Sequence, residues 1–180
     1  SITINGSDTY LTIEYGAFSG CSNLESIDFS NRKTNLGERA FISCKGLESV
    51  ILKGSFTGQG YQFKDCIALE SVYIIEEVNK RIPQYMFYGC TNLKIVSLPA
   101  DLTSIGSYAF AGTGLEEFTI PTSVTSLSGD VFENCSSLAS INVPSENKNF
   151  ILVDGVLYNG DKTNLIKYLK FFYRYVNITF

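Results

Sequence analysis

Five cysteines are the residues of this chain best suited to nucleophilic or metal-binding chemistry. A cysteine nucleophile needs an adjacent base, and a zinc site needs several converging thiolate or imidazole ligands. The 180 residues include no histidine, which removes the usual Ser/His/Asp and Cys/His arrangements and most zinc sites. We therefore expect the thiols to serve packing, with no metal and no cofactor. They are Cys21, Cys44, Cys66, Cys90 and Cys135.

Two pairs of adjacent glutamates, Glu76-Glu77 and Glu116-Glu117, are the remaining candidates for catalysis, as a general acid and base. Successive residues of a strand point to opposite faces, whereas the two carboxylates of a glycosidase share one cleft. We therefore interpret both pairs as solvated surface and predict that the chain is not an enzyme.

Charge and hydropathy narrow the range of partners. The chain has 14 basic and 18 acidic residues and a net charge of −4, so it lacks the basic field that attracts nucleic acid. It contains no uncharged apolar run of about 18 residues, so we expect no membrane span within it. Because Ser1 already lies in what reads as the end of a strand, we interpret the chain as part of a longer protein.

The cysteines belong to a repeat anchored on a phenylalanine that returns every 22 to 24 residues. From each phenylalanine the unit reads F-x-x-C-x-x-L-x-x-I-x-L, and an apolar residue stands five positions before it, except at Gly58. This period lies in the leucine-rich-repeat range. We number coils one to six by their phenylalanines, which are Phe18, Phe41, Phe63, Phe87, Phe110 and Phe132.

Each unit predicts one coil of a solenoid. The L-x-x-I-x-L stretch ends in a two-residue alternation typical of a strand, and coils must stack to bury their leucines. The stacked strands then form one parallel sheet. The cysteines form an inward column, in which a spacing of about 4.8 Å between coils disfavours disulfides. We expect strands near residues 24–29, 47–52, 69–74, 93–98, 115–120 and 138–143.

Two departures from the unit divide the chain. Coil five is one residue shorter and carries Ala111-Gly112-Thr113-Gly114 where the cysteine should be. After Pro144 the spacing changes, and the turn dipeptides Asp154-Gly155 and Asn159-Gly160 separate apolar runs. We predict a solenoid at residues 1–144 and a hairpin-rich C-terminal cap at 145–180. The fold class is an α/β-type repeat solenoid with short parallel strands on one face and mostly irregular or short helical returns.

The units F-x-x-C-x-x-L-x-x-I-x-[IL]-P, with Ile-Gly-Ser-Tyr-Ala-Phe at 105–110, resemble the BspA-like leucine-rich repeats. The segment 149–168 also resembles the recurrent closing segment of that family. The resemblance implies a leucine-rich-repeat fold that brings no catalytic residue with it. It also implies a surface-exposed protein of a bacterium or parasitic protist that serves adhesion and binds host proteins.

One outward column is the strongest candidate for binding. The residue after each repeat leucine is acidic in four of the six coils, and solenoids often bind through such a sheet face. Like charges about 5 Å apart destabilise a ladder modestly, which a gain in binding would explain. The alternative is that the glutamates only keep the sheet soluble. The candidate ligand-binding residues are Glu25, Asp28, Glu48, Glu70, Tyr73 and Glu116.

The function we predict is a non-catalytic protein-binding or adhesion module of a cell-surface or secreted protein. Its partner would be a host or matrix protein with a basic surface. The alternative is a cytoplasmic scaffold for protein assembly. The aromatic and basic residues at 168–175 favour a cap over the end of the core, with an interfacial membrane contact as the other possibility.

Overall fold

The computed structural model describes residues 1–3 and 10–169, and all but the C-terminal ones form a parallel β-solenoid of about six turns, which an antiparallel sheet follows. The strands are short, and the longest has eight residues, because tight turns interrupt every coil. The strands, in chain order, are β1 (Ile2–Thr3), β2 (Leu11–Ile13), β3 (Ser26–Asp28), β4 (Thr34–Leu36), β5 (Ser49–Phe56), β6 (Ser71–Glu77), β7 (Arg81–Ile82), β8 (Ile95–Ser97), β9 (Ser104–Ile105), β10 (Glu117–Thr119), β11 (Ser126–Leu127), β12 (Ser140–Asn142), β13 (Phe150–Val153), β14 (Val156–Asn159) and β15 (Leu165–Tyr168).

The first ladder of parallel strands, called ladder one, lies where the L-x-x-I-x-L motif predicts it. Its order is β1, β3, the first half of β5, β6 and β8, followed by a separate pair of β10 and β12. The register aligns equivalent repeat positions, so that Ile27 pairs with Val50 and Val50 with Val72. The six predicted strand segments are confirmed in position and parallel direction. The expectation that they form one parallel sheet is wrong, because β10 and β12 form a sheet separate from the others.

A second parallel ladder, called ladder two, occupies another side of the coils, so the expectation of strands on one face alone is wrong. It comprises β2, β4 and the end of β5, and then β7, β9 and β11. The apolar residue five positions before each phenylalanine supplies its inward side chains, as at Leu36 and Ile82. In coil three Phe56 pairs with Leu36 and fills this position in place of Gly58.

The returns between the ladders contain turns, and across the described residues no α-helix occurs. The expectation of an α/β class with short helical returns is therefore wrong. The residue two before the phenylalanine is one physical reason, because Arg39, Tyr61 and Tyr85 have φ of 58°, 64° and 55°. A left-handed residue interrupts a right-handed helix, so successive tight turns carry the chain instead.

The core runs along the solenoid axis as columns of identical repeat positions. The rings of coils one to six stack in order, with centroid separations from 4.9 to 6.2 Å. The leucines of coils two to five are fully buried beside them. Each coil therefore completes the core of its neighbour, as a solenoid requires.

Residues 150–168 form an antiparallel sheet of β13, β14 and β15, with a turn at Asp154-Gly155. The buried Asn147 ties this end to coil five, because its side-chain amide donates to the carbonyls of Pro121 and Val124. The aromatic tail from residue 170 onwards lies outside the described residues. Among the described residues no helix is long and apolar enough to cross a membrane.

Candidate functional site

Three glutamates form a continuous acidic row on the outward side of ladder one. The backbone N–H of Glu48 donates to the carbonyl of Glu25 (2.7 Å), and that of Glu70 donates to Glu48 (2.8 Å). All three side chains are exposed, and none forms an ion pair with a described residue. The row places three uncompensated negative charges on a rigid support, about one strand spacing apart.

The acidic row ends at coil four, where the residue is basic. Lys94 occupies the equivalent position, and its backbone N–H donates to the carbonyl of Glu70 (3.0 Å). Its ammonium group lies 3.5 Å from the carboxylate of Glu116 in coil five. Glu116 is exposed as predicted, but its charge is already partly balanced, so it differs from the other three glutamates.

Asp28 and Tyr73 lie in one register column of the same face, with Ile51 between them. The Asp28 carboxylate accepts a hydrogen bond from the backbone N–H of Ser30 (2.8 Å). Hydrogen bonds from Ser30 hold the pKa of Asp28 below its ordinary value, so the group is anionic. Tyr73 is 40% exposed and Ile95 is 53% exposed, which gives the face apolar contact area beside the acidic row.

An open cleft interrupts ladder one between β8 and β10, and the sequence did not predict it. No backbone hydrogen bond joins residues 93–98 to residues 115–121, a region that the structure describes throughout. The cleft has a volume of about 450 Å³ and is lined by residues of both strands. The same two coils remain joined elsewhere, through Gly106 N–H to Ile82 O (2.9 Å) and Phe87 N–H to Ala109 O (2.8 Å).

The cysteine column is packed inward as predicted in its middle and is open at its ends. All five thiols are free, and Cys44, Cys66 and Cys90 are buried. Cys66 donates to the carbonyl of Phe41 and Cys90 to that of Phe63, both at 3.1 Å, so each thiol bonds to the preceding coil. The expectation of burial is wrong for Cys21, which is exposed, and only partly met by Cys135.

Cys44 donates to the carbonyl of Phe18, which belongs to the preceding coil. No described residue lies in the corresponding place for Cys21, so its thiol is exposed. Burial in the middle of the column has the opposite effect, because it raises the pKa of the Cys90 thiol. A thiol that stays protonated and covered is a poor nucleophile. The arrangement favours packing over chemistry.

The adjacent glutamates do not form an acid–base pair. Glu76 is half-buried and forms an ion pair with Lys33 at 2.6 Å. Glu77 is only 2% exposed, and its carboxylate accepts hydrogen bonds from the backbone N–H groups of Asn79 and Arg81. Burial raises the pKa of Glu77. The interpretation of this residue as solvated surface is wrong, because its side chain closes the turn that follows β6.

An aromatic row on the turn side of the solenoid is a second feature that the sequence analysis missed. Tyr61, Tyr85 and Tyr108 stack with centroid separations of 4.8 and 4.9 Å. The guanidinium group of Arg39 lies 5.3 Å from the Tyr61 ring centre. All four residues stand two positions before a repeat phenylalanine, and that spacing could have revealed them. Since the rings cover one another's faces, their edges meet solvent.

Solved structures share this fold. A leucine-rich repeat protein of Bacteroides ovatus matches 68% of this chain at 27% identity, with a TM-score of 0.59. A leucine rich cell surface protein of Faecalibacterium prausnitzii matches 93% at 23% identity and the same TM-score of 0.59. The pneumococcal vaccine antigen PcpA matches 88% at 26% identity, with a TM-score of 0.50. The chain spans 34%, 54% and 36% of these proteins, respectively.

A comparison with curated protein sequences gives no significant match. The family model of the BspA type leucine rich repeat region matches residues 1–80 and 59–159, in six copies. This span includes all six repeats described above. The chain therefore belongs to the BspA-type leucine-rich repeat family.

Proposed function

We propose that the chain is a non-catalytic protein-binding module that presents the outward side of ladder one to a protein with a basic surface. The observation that carries the proposal is the row of Glu25, Glu48 and Glu70, which are exposed and unpaired among the described residues. Asp28, Tyr73 and Glu116 extend this surface. Charge complementarity across an interface mainly raises the association rate and the specificity.

The rigidity of the support adds to this proposal. The three glutamates project from hydrogen-bonded strands, so binding requires little ordering of the backbone. Tyr73 and Ile95 supply apolar area next to the charges, and tyrosine is enriched at interfaces. A polar rim beside an apolar centre is a common arrangement in protein–protein recognition.

We further propose that the module belongs to a cell-surface or secreted protein that contacts host or matrix proteins. The likeness to the pneumococcal protein, described as a vaccine antigen, supports this location at 26% identity. We assign residues 1–144 to the binding solenoid and residues 145–180 to a capping segment. The buried Asn147, which anchors the segment after Pro144 to coil five, supports the capping role.

Binding to a panel of purified extracellular-matrix proteins, ranked by their net charge, tests the proposal. The chain is immobilised and association is followed at two salt concentrations. We expect the affinity for a basic member of the panel to fall with salt, because screening weakens exposed charges beyond about 8 to 10 Å. The double reversal Glu48→Lys with Glu70→Lys should slow association and remove most of the salt dependence.

The matched control is the double reversal Glu14→Lys with Glu133→Lys, which changes the net charge equally. Both of these glutamates are exposed and lie outside ladder one. If the two double variants lost affinity to the same extent, the net charge of the chain would explain binding and the acidic row would not. Unchanged affinity and salt dependence in Glu48→Lys with Glu70→Lys would also contradict the proposal.

A further inference from the structure

The cleft between coils four and five exposes two unpaired strand edges. On one side, the backbone N–H of Ile95 donates to Glu70 O (3.1 Å), and on the other that of Ile120 donates to Asn142 O (3.0 Å). Along a strand of a parallel sheet, the N–H and C=O groups of successive residues point alternately to the two neighbouring strands. Groups of β8 and β10 that do not point to coil three or coil six therefore point into the cleft. They are the N–H and C=O groups of Val96 on β8 and of Glu117 and Thr119 on β10.

The cleft also opens the core to solvent. Val72 and Ile74, the inward residues of β6, are at most 2% exposed. Their equivalents in coil four, Val96 and Leu98, are only partly buried although they point the same way. An extended segment in the cleft could cover these inward apolar side chains and pair its backbone with the strand edges at the same time.

The shortened turn of coil five accounts for the opening. Coil two reads Cys44-Lys45-Gly46-Leu47, and the N–H of Leu47 donates to the carbonyl of Cys44 (3.1 Å). Coil five reads Thr113-Gly114-Leu115, and the N–H of Leu115 has no equivalent bond. Because the two coils stay joined on ladder two and at the phenylalanine turns, the missing residue separates them on ladder one alone.

One unpaired acidic side chain lines the opening. Glu117 is exposed and forms no ion pair with a described residue, whereas Lys94, the other charged residue of the lining, lies 3.5 Å from Glu116. With Glu116 included, the charge at the opening is therefore negative. An occupant with lysine or arginine side chains on its outward side would neutralise it, and its inward side chains would meet Val96 and Leu98.

We infer that this cleft binds an extended segment of the protein partner, in which apolar and basic side chains alternate. The backbone of this segment pairs with the unpaired edges of β8 and β10. An exposed strand edge is a ready template for such strand addition, with main-chain hydrogen bonds supplying affinity. The inference rests on the proposed function, since it assigns a position to a segment of the same class of partner.

A capped hexapeptide in which valine alternates with lysine is the probe. Hydrogen–deuterium exchange of the complete chain should show the amides of Val96, Glu117 and Thr119 exchanging rapidly when free and protected when the peptide is bound. The same peptide with methylated backbone nitrogens keeps its charge and side chains but loses its donors. It should bind about tenfold more weakly, because each lost hydrogen bond costs a factor of several.

Glu117→Lys should weaken binding of the unmethylated peptide, whereas Glu133→Lys, which changes net charge equally on another side, should not. Insertion of a lysine between Thr113 and Gly114 reproduces the coil-two turn and should close ladder one, protecting the same amides without peptide. The inference is overturned if the methylated peptide binds equally, if protection falls outside residues 93–98 and 115–121, or if no binding occurs at about 1 mM.

The failure of this inference and of the proposed function are distinguishable. If the insertion variant keeps full affinity for a matrix protein that depends on Glu48 and Glu70, the cleft is not used but the acidic row is. If the cleft peptide binds as expected and the Glu48→Lys with Glu70→Lys variant retains all matrix-protein affinity, the acidic row is refuted and the cleft stands.

Discussion

Stacking along the phenylalanine column should contribute measurably to the free energy of unfolding, and more in the middle of the column than at its end. The Phe87 ring is fully buried and stacks between Phe63 and Phe110, at centroid separations of 5.6 and 5.5 Å. Phe87→Leu keeps an apolar residue but removes both ring pairs, at about 0.5 to 1.5 kcal/mol each. The loss of volume adds a smaller cavity cost. We expect the free energy of unfolding to fall by about 2 to 3 kcal/mol in total.

Phe18→Leu is the matched control at the end of the column. Phe18 is partly buried and has a single described stacking partner, Phe41, at 4.9 Å. We expect about half of the Phe87→Leu effect, because one ring pair is lost instead of two. Urea unfolding followed by circular dichroism measures both variants. Equal losses, or a larger loss for Phe18→Leu, would refute the view that stacking along the column couples the coils.

Three further predictions concern the thiols, a buried carboxylate and a tight backbone contact. Iodoacetamide at pH 8 should label Cys21 rapidly in the native protein and Cys90 only after unfolding, as intact mass would show; rapid native labelling of Cys90 would contradict its burial. Burial raises the folded pKa of Glu77, so its stabilising contribution is present below the ordinary glutamate pKa and is lost as pH rises through the folded value. The unfolding free energy of wild type should therefore fall relative to Glu77→Gln as the pH rises above the ordinary glutamate pKa, and parallel pH profiles would exclude this reasoning. Gly54→Ala should cost about 2 to 5 kcal/mol, because its Cβ would lie 1.9 Å from Thr34 O at a φ of 144°. The same change at the exposed Gly129, where the nearest atom is 3.3 Å away, should cost far less in thermal unfolding.

The repeat explains why ladder one could be predicted from the sequence. The leucine and the apolar residue three positions later recur in every coil and identify a buried strand there. Leu47 and Val50 are the pair in coil two, and both are fully buried. The residue after each repeat leucine must then point outward, as Glu48 and Glu70 do. Local alternation determines both facts, since neighbouring strand residues face opposite sides.

Other features depend on how coils meet in space, and the repeat pattern alone does not reveal them. The apolar column that includes Leu36 and Ile82 was visible, but runs of two or three residues are too short to show strand alternation. Cys21 has the same repeat position as Cys44 and differs in burial because of its place at the end of the column. The cleft coincides with one missing residue near Gly114, in a pair of coils that other contacts keep together elsewhere.

The most direct test of the central claim is carbodiimide labelling of carboxylates in the free chain and in its complex with a matrix protein from the binding panel. The exposed glutamates of ladder one and the control glutamates should react similarly in the free chain. In the complex we predict that Glu25, Glu48 and Glu70 become protected, while Glu14 and Glu133 keep their reactivity. Full reactivity of the acidic row in the complex, with protection at Glu14 or Glu133, would contradict the claim that ladder one is the binding surface.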